Sequence, residues 1–310
     1  MIISARGEQS FTPGQLKKLR SNLDCRFLKC MAPLSGSDFV RLARPYAVLG
    51  ITRRAIKELD RTVIEKLLLL EGIAIYATGH EWVDTACLRR RKIVLSFLPD
   101  YATVSVAEHA FGCLLALSRR IHLSFDRVRG IVPSDVSLRG WELRGKTLGI
   151  IGYGRIGRQV ARFGAAFGMC IIFTDDKKAG AANVRQVPLI RLLKTSDAVI
   201  LCCSQSRNSR QLLGRKELER MKRSTVLVNV GRAGLVDNNA LLSLLKAKRI
   251  AGYAVDDSVE LFNSARGLEP GRILQTGHTA WYSNEAIARG TQAWVDNLAA
   301  LGSGRARNLV

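Results

Sequence analysis

The sequence predicts an α/β protein organised around a doubly wound parallel sheet. Residues 147–278 of the 310-residue chain alternate between short apolar runs and segments with helical periodicity. The apolar runs are nearly continuous, as in strands that are covered on both faces. The helical segment between the first two runs carries Ile156, Val160, Phe163 and Phe167 on one face. Such alternation is typical of parallel strands joined by crossover helices.

Six strands are predicted in this region, and polar or glycine residues follow each of them. The strands are residues 147–151, 170–174, 198–203, 226–230, 252–255 and 273–276. A leucine-rich helix over residues 239–248 separates the fourth strand from the fifth. Ligands bind at the carboxyl ends of the strands in such sheets. We therefore expect the functional residues to come from those ends, namely Gly152, Asp175, Ser204, Gly231, Arg232, Asp256 and His278.

The chain is long enough for two domains, and its composition is that of a folded protein. Hydrophobic residues make up 47% of the sequence, which excludes a disordered chain. No apolar run reaches the roughly 18 residues of a membrane span. The first residues also lack the pattern of a secretory signal. The seven cysteines lie mostly in apolar surroundings and show no metal-binding spacing, which favours reduced thiols in the cytoplasm.

The strongly basic charge favours anionic partners. The formal net charge is +22, and the basic residues are scattered rather than concentrated in one helix. Such a field attracts acidic metabolites, acidic lipids or nucleic acids. Because no basic helix or nucleic-acid motif accompanies the charge, we expect a small anionic substrate and not a nucleic acid or a membrane.

The turn after the first predicted strand has the pattern of a dinucleotide-binding loop. Residues 152–157 read GYGRIG, between the strand LGII and a helix. In G-x-G-x-x-G, the glycines allow the tight turn, the approach of a pyrophosphate and close helix–strand packing. Asp175 follows Gly157 by 18 residues, where an acid binds the ribose hydroxyls. A carboxylate there repels a 2′-phosphate, so the sequence predicts NAD as the cofactor rather than NADP.

Several longer motifs resemble the D-isomer-specific 2-hydroxyacid dehydrogenases. They are ATGHEWVD (77–84), DYATVSVAEHAFGCLLALSRR (100–120), LRGKTLGIIGYGRIGRQVARFGAAFGM (143–169), NVGRAGLVDNNALLSLLKAKRIAGYAVD (229–256) and TGHTAWYSNEA (276–286). The resemblance implies a Rossmann NAD domain over residues 98–283, inserted in a smaller flavodoxin-like α/β substrate domain of residues 1–97 and 284–310. It also implies hydride transfer between NAD and a 2-oxo acid/2-hydroxy acid pair, usually in a homodimer.

The resemblance assigns two catalytic side chains. Arg232 matches the arginine that clamps the substrate, and a guanidinium fork suits a carboxylate and its neighbouring carbonyl oxygen. His278 matches the acid/base histidine, whose ordinary pKa near neutrality suits proton exchange. The backbone of Thr78, Gly79 and His80 matches the loop that holds the substrate carboxylate. Further cofactor contacts carried over by position are Gly152, Gly154, Arg155, Ile156, Gly157, Asp175, Ser204, Val230, Asp256 and Thr103.

The carboxylate partner of His278 is the open part of the predicted site. The family places a glutamate five residues after the aspartate that matches Asp256, but this position is Leu261 in VDDSVELFNSARG. Glu260, one position earlier, is the favoured substitute. Asp257 is an alternative, and a site without a carboxylate partner is another.

Two further interpretations follow from the motifs. The disturbed glutamate segment and the basic surface leave open an NAD(H)-sensing co-regulator or scaffold with a degenerate active site. Glu108 and His109 also match a family signature, and the sequence favours a domain-connecting role for them over a catalytic one.

Overall fold

The chain folds into two compact units, and one is inserted into the other along the sequence. A computed structural model describes residues 1–178, 184–205, 209–258, 261 and 267–310. The first unit comprises Met1–Ala102 and Ser283–Val310, and the second comprises Thr103–Tyr282. The sequence placed the boundaries after residues 97 and 283, whereas this division places them after Ala102 and Tyr282, and the second unit begins with a helix at Thr103.

The first unit contains a five-stranded parallel sheet with the strand order of flavodoxin-like folds. The order is β2-β1-β3-β4-β5, and all pairs are parallel. The strands are β1 (Ile2–Ser4), β2 (Phe27–Lys29), β3 (Val48–Ile51), β4 (Gly72–Ile75) and β5 (Val94–Ser96). The helices between them are α1 (Pro13–Arg20), α2 (Gly36–Ala43), α3 (Arg61–Glu65) and α4 (Thr85–Arg90).

Each of these helices begins where a short polar side chain caps it. Thr12, Ser35, Asp60 and Asp84 accept a hydrogen bond from a backbone N–H in the first turn of α1 to α4, respectively. Such caps satisfy N–H groups that have no partner within the helix. The start of each helix is therefore encoded locally in the sequence.

The second unit contains the larger sheet, which is parallel and doubly wound. Its order among the described residues is β12-β11-β10-β9-β6-β7-β8, and every pair is parallel. The helices are α5 (Thr103–Ser118), α6 (Ile121–Val128), α7 (Arg155–Ala166), α8 (Leu189–Thr195), α9 (Arg215–Leu218) and α10 (Asn238–Lys246). The strands are β6 (Thr147–Ile151), β7 (Cys170–Thr174), β8 (Arg185–Gln186), β9 (Ala198–Leu201), β10 (Val226–Asn229), β11 (Gly252–Asp256) and β12 (Ile273–Thr276).

Both faces of this sheet are covered, which explains the continuous apolar runs. In β9, Ala198 and Ile200 belong to one buried cluster, whereas Val199 and Leu201 belong to another. Alternate residues of a strand point to opposite faces, so a strand between two cores is apolar at every position. After this unit the chain returns to the first as α11 (Asn284–Gly302), where Trp294 Nε1 donates to Ala74 O of β4 at 2.9 Å.

The predicted fold class is confirmed, with corrections at single elements. The strands at 147–151, 170–174 and 273–276 have the predicted bounds. The strand predicted over 198–203 ends at Leu201, because Cys202 and Cys203 already belong to the turn beside the glycine motif. The edge strand β8 was not predicted, since its two residues are polar and exposed. No helix in the described ranges has the length and apolar character that a membrane span requires.

Candidate functional site

The GYGRIG turn adopts a conformation that requires glycine at its first and last positions. Gly152 has φ +91°, and a Cβ there would lie 2.6 Å from Cys203 N. A Cβ on Gly157 would overlap the carbonyl oxygen of Gly152 and lie 3.2 Å from Ile150 Cγ2. Both glycines therefore serve close packing between the turn, β9 and α7.

The middle glycine has a different environment. Gly154 is the N-cap of α7 and, as a glycine, has no side chain with which to cap this end of the helix. A Cβ on Gly154 would meet no described atom within 4 Å, so a ligand can approach the backbone here. The amino end of a helix favours negative charge through its N–H groups and dipole. The turn therefore fits the pyrophosphate of a dinucleotide.

Asp175 is tied to this turn through its carboxylate. Its Oδ2 accepts from Tyr153 N at 2.6 Å, and its Oδ1 accepts from Lys177 N at 2.9 Å. The Tyr153 ring stacks on Phe173 with 4.0 Å between centroids. These contacts hold the half-exposed carboxylate at the end of β7, next to the glycine turn. The structure thus brings together the two parts of the predicted dinucleotide motif.

Arg232 lies on a turn that a buried asparagine organises. Asn229, the last residue of β10, accepts from Gly231 N at 3.0 Å and donates to Arg232 O at 2.8 Å. The same amide donates to the hydroxyl of the buried Tyr253 at 3.3 Å. Arg232 itself is half-buried and donates to Gly231 O at 2.9 Å. No role for Asn229 was predicted from the sequence, although an asparagine within an otherwise apolar strand indicates a buried side chain that needs hydrogen-bond partners.

The alternative histidine partner Asp257 makes other contacts. Its Oδ2 accepts from Ala233 N at 2.8 Å, and its Oδ1 accepts from Ser258 N at 2.8 Å. Its backbone oxygen accepts from Gln275 Nε2 at 2.9 Å. Asp257 therefore supports the turn after β10. Glu260, the favoured partner, lies outside the described residues.

His278 lies on a turn held by Asp256. The half-buried His278 has φ +59°, a left-handed conformation that is uncommon without glycine. Asp256, at the end of β11, accepts from Thr279 N at 2.7 Å and from Ala280 N at 2.9 Å. Trp281 Nε1 donates to His278 O at 3.0 Å. Asp256 therefore caps the backbone of the turn that carries His278.

The structure places one group of predicted residues at one edge of one sheet. Strands β6, β7, β9, β10, β11 and β12 are parallel, so their carboxyl ends share an edge. That edge carries Gly152, Gly154, Arg155, Ile156, Gly157, Asp175, Ser204, Val230, Arg232, Asp256 and His278. Thr103 is the first residue of α5 in the same unit.

The predicted loop of residues 78–80 belongs to the first unit. Thr78 Oγ1 donates to Leu98 O at 2.7 Å, and Gly79 O accepts from Trp82 Nε1 at 3.1 Å. The His80 ring contacts Phe97 with 5.8 Å between centroids. The loop thus has an ordered anchor, and its role in binding substrate stays a prediction.

Two buried or partly buried thiols of the second unit, Cys203 beside the glycine turn and Cys113 in α5, are not acidic groups. Burial raises the pKa of Cys203 to about 11, and Asp175 and Asp176 add to this rise. Burial also raises the pKa of Cys113 to about 12. Both thiols are therefore neutral near pH 7, so neither provides a thiolate for covalent chemistry.

Comparison with known proteins identifies relatives of this chain. Residues 111–280 match the family model described as D-isomer specific 2-hydroxyacid dehydrogenase, NAD binding domain. A glyoxylate reductase of Pyrococcus furiosus is 34% identical over 211 residues, which are 64% of this chain and 63% of that protein. The chain therefore spans less than two thirds of that relative. A D-lactate dehydrogenase of Escherichia coli is 30% identical over 265 residues, which are 79% of this chain and 80% of that protein.

A solved structure resembles the chain over its whole length. It is an acyclic imino acid reductase in complex with NADPH and D-Arg. The TM-score is 0.87 at 27% sequence identity, and the similarity covers 100% of both chains. The fold is therefore shared with a protein solved in complex with a nicotinamide dinucleotide, and the glycine turn described above fits such a cofactor.

Proposed function

The chain belongs to the D-isomer specific 2-hydroxyacid dehydrogenase family, and from this premise we propose that it interconverts a small anionic 2-oxo acid and its D-2-hydroxy acid. The cofactor is a nicotinamide dinucleotide, bound by the NAD binding domain that the family model matches. One observation carries the proposal: Arg232 and His278 follow β10 and β12 on the same sheet edge as the glycine turn. Strands β10 and β12 are two strand spacings apart, about 10 Å, which suits two groups that act on one small molecule.

Arg232 is proposed to bind the acid group of the substrate. A guanidinium donates two parallel hydrogen bonds to a carboxylate and polarises a carbonyl oxygen beside it. The Asn229 and Asp257 contacts fix the backbone on both sides of Arg232. Catalysis depends on such fixed positions because little reorganisation is then needed during the reaction.

His278 is proposed to exchange the proton. When bound, the reduced nicotinamide supplies a hydride to the C2 carbon of the 2-oxo acid. The C2–O double bond becomes a single bond, and the oxygen takes a proton from the ring of His278. The histidine regains a proton from solvent, and the reverse direction uses it as the base. Asp256 holds the backbone on which this ring is carried.

We also propose NAD as the preferred cofactor. Asp175 presents a carboxylate at the end of β7, fixed by Tyr153 N and Lys177 N. Its charge repels a 2′-phosphate and its oxygens can accept from ribose hydroxyls. The imino acid reductase that resembles this chain was solved with NADPH, so a comparison of NADH with NADPH tests this preference directly.

The experiment is NADH oxidation by the purified protein with a panel of 2-oxo acids, including dicarboxylates and phosphonates. We expect turnover with at least one member, and a loss of about 100-fold or more in kcat for His278→Ala. Arg232→Lys keeps the charge but loses the fork, so we expect a higher KM as well as a lower kcat. NADH affinity, from fluorescence titration, should stay within about twofold of wild type in both variants. Full activity of His278→Ala would overturn the assignment.

The runner-up function is an NAD(H)-sensing co-regulator or scaffold. It is favoured if the protein binds NADH tightly but reduces no member of the panel. The presence of both Arg232 and His278 supports the enzyme instead.

A third function is favoured by the imino acid reductase whose fold covers the whole chain. Reduction of a C=N bond needs a hydride on its carbon and a proton on its nitrogen, the counterparts of the two transfers proposed for the 2-oxo acid. Adding an amine to the 2-oxo acid panel tests this. Faster NAD(P)H oxidation with the amine than without it would favour imino acid reduction.

We propose that the protein forms a homodimer through α6. Ile121, Phe125 and Val128 recur at helical spacing, and they are 55%, 61% and 88% exposed. Ile131, 57% exposed, extends this apolar face past the end of the helix. An exposed apolar stripe is typical of an interaction surface. The proposed partner is a second copy of the chain, because most soluble oligomers are symmetric assemblies of identical chains.

The seven free thiols support a reducing compartment, and we propose the cytoplasm.

A further inference from the structure

His109 contacts the turn that carries His278, although the proposed chemistry does not use it. Its Nε2 lies 3.0 Å from Thr276 Oγ1 and 4.0 Å from Asp256 Oδ1. The His109 side chain is 23% exposed, so the ring is mostly enclosed. His109 comes from α5, and Thr276 is the last residue of β12, two positions before His278. A third element thus reaches the turn in addition to β11 and β12.

The direction of the hydrogen bonds follows from the protons available. The Thr276 hydroxyl donates to Asp256 Oδ1 at 2.7 Å. A hydroxyl has a single proton, so its oxygen can only accept from His109. His109 Nε2 therefore carries a proton, as it does in one neutral tautomer and in the charged imidazole. The chain of hydrogen bonds runs from His109 through Thr276 to Asp256.

Asp256 needs a fixed orientation because it accepts from both residues that follow His278. Its Oδ1 accepts from Thr279 N and its Oδ2 accepts from Ala280 N. These bonds hold a backbone in which His278 has φ +59°. A left-handed residue other than glycine persists only where its surroundings hold it. Rotation of the Asp256 carboxylate would release the constraint on the ring of His278.

We propose that His109 is a positioning residue for the acid/base His278. It acts by donating to Thr276, which orients the carboxylate of Asp256 and thereby the His278 turn. The inference rests on the proposed function, because it assigns a role in the same reaction. The sequence suggested a domain-connecting role for His109; the contacts used here join residues that all belong to the second unit.

The first test compares three variants of His109. His109→Phe keeps a ring but removes the donor, and we expect kcat to fall about tenfold or more. His109→Gln places an amide nitrogen as many bonds from Cα as Nε2, so we expect it to restore most of kcat. His109→Asn places its nitrogen at the position of Nδ1, so it should behave like His109→Phe. KM for the 2-oxo acid and NADH affinity should stay within about twofold, because the proposed role requires no contact between His109 and either ligand.

The second test asks whether the two bonds act as one unit. Thr276→Val removes the hydroxyl with little change in shape and should lower kcat as His109→Phe does. The double variant should then lose little more than either single variant, since coupled residues are not additive. Independent losses that multiply in the double variant would overturn the proposed chain of hydrogen bonds.

A matched control excludes a general packing effect. His122 also lies in a helix of the second unit, and its ring nitrogens contact Ala116 O at 3.0 Å and Gly271 O at 3.3 Å. We expect His122→Phe to retain the wild-type kcat. Equal losses of kcat in His122→Phe and His109→Phe would overturn a specific role for His109.

A readout without turnover separates this inference from the proposed function. Amide hydrogen exchange at Thr279 and Ala280 reports the Asp256 bonds directly. We expect exchange there to quicken about tenfold in His109→Phe and to stay unchanged in His122→Phe. If wild type reduces no substrate, the proposed function fails, while the exchange data still decide whether His109 holds the turn. If wild type is active and His109→Phe matches it in both readouts, only the inference about His109 fails.

Discussion

Gly154 and Gly157 belong to one short motif, yet the structure predicts opposite consequences for the same substitution. An added methyl group at Gly157 would overlap the backbone oxygen of Gly152, which cannot rotate away. The methyl group at Gly154 would meet no described protein atom within 4 Å. Gly157→Ala should therefore damage the fold, whereas Gly154→Ala should damage only the approach of a ligand.

The magnitudes follow from the kind of contact. Overpacking in a well-packed region costs about 1–3 kcal/mol, and a backbone clash belongs at the upper end of that range. For a unit the size of Thr103–Tyr282, about 3 kcal/mol corresponds to a Tm lower by about 6–12 °C. At Gly154 we expect the unfolding temperature to change by less than about 2 °C. NADH binding there should weaken by about tenfold or more, which is about 1.4 kcal/mol.

The assay pairs calorimetric unfolding of the ligand-free protein with fluorescence titration of NADH. Gly14→Ala is the control, because Gly14 lies in α1 of the first unit and an added Cβ there also meets nothing within 4 Å. It should leave NADH affinity unchanged. Two results would contradict the different roles of the two glycines: Gly154→Ala that binds NADH as wild type does, or Gly154→Ala that lowers Tm as much as Gly157→Ala.

Five further outcomes are expected. Asp175→Asn removes the charge opposed to a 2′-phosphate, so the preference for NADH over NADPH in kcat/KM should fall about tenfold; an unchanged ratio would contradict this. Asn229→Ala leaves buried backbone groups of its turn without partners, so urea unfolding should show a loss of about 2 kcal/mol. Burial raises the pKa of Cys203 from 9.0 to about 11, so iodoacetamide should leave Cys203 unmodified at pH 8. The reagent should modify the exposed Cys170 under the same conditions, and mass spectrometry distinguishes the two sites. The raised pKa of Cys203 also predicts that the free energy of unfolding falls as the pH rises from 9.0 to about 11, because over this range the Cys203 thiol ionises in the unfolded chain but not in the folded one. Phe125→Glu should convert a dimer to a monomer in light scattering, and a monomeric wild type would exclude the interface.

The sequence was informative where function depends on local order along the chain. A strand, a glycine turn and a helix are consecutive, so GYGRIG could be assigned from its flanking residues alone. Strand ends were also readable, because continuous apolar runs stop where polar residues begin. Parallel strands then place Asp175, Arg232 and His278 on one edge without further information. The partner of His278 could not be assigned in this way, since its segment departs from the family pattern.

Contacts between distant residues were decided only by the tertiary structure. His109 and Thr276 are 167 positions apart, and Asp257 reaches Ala233 across 24 positions. Neither pairing leaves a periodic pattern, because the first depends on how α5 packs against β12 and the second on how β10 pairs with β11. By itself, then, the sequence determined the fold class and the cofactor turn, since these follow from short-range patterns. The resemblance of its motifs to the family indicated the two catalytic candidates. The tertiary structure decided which polar groups hold those candidates in place, since hydrogen bonding depends on distances in space and not on separation along the chain.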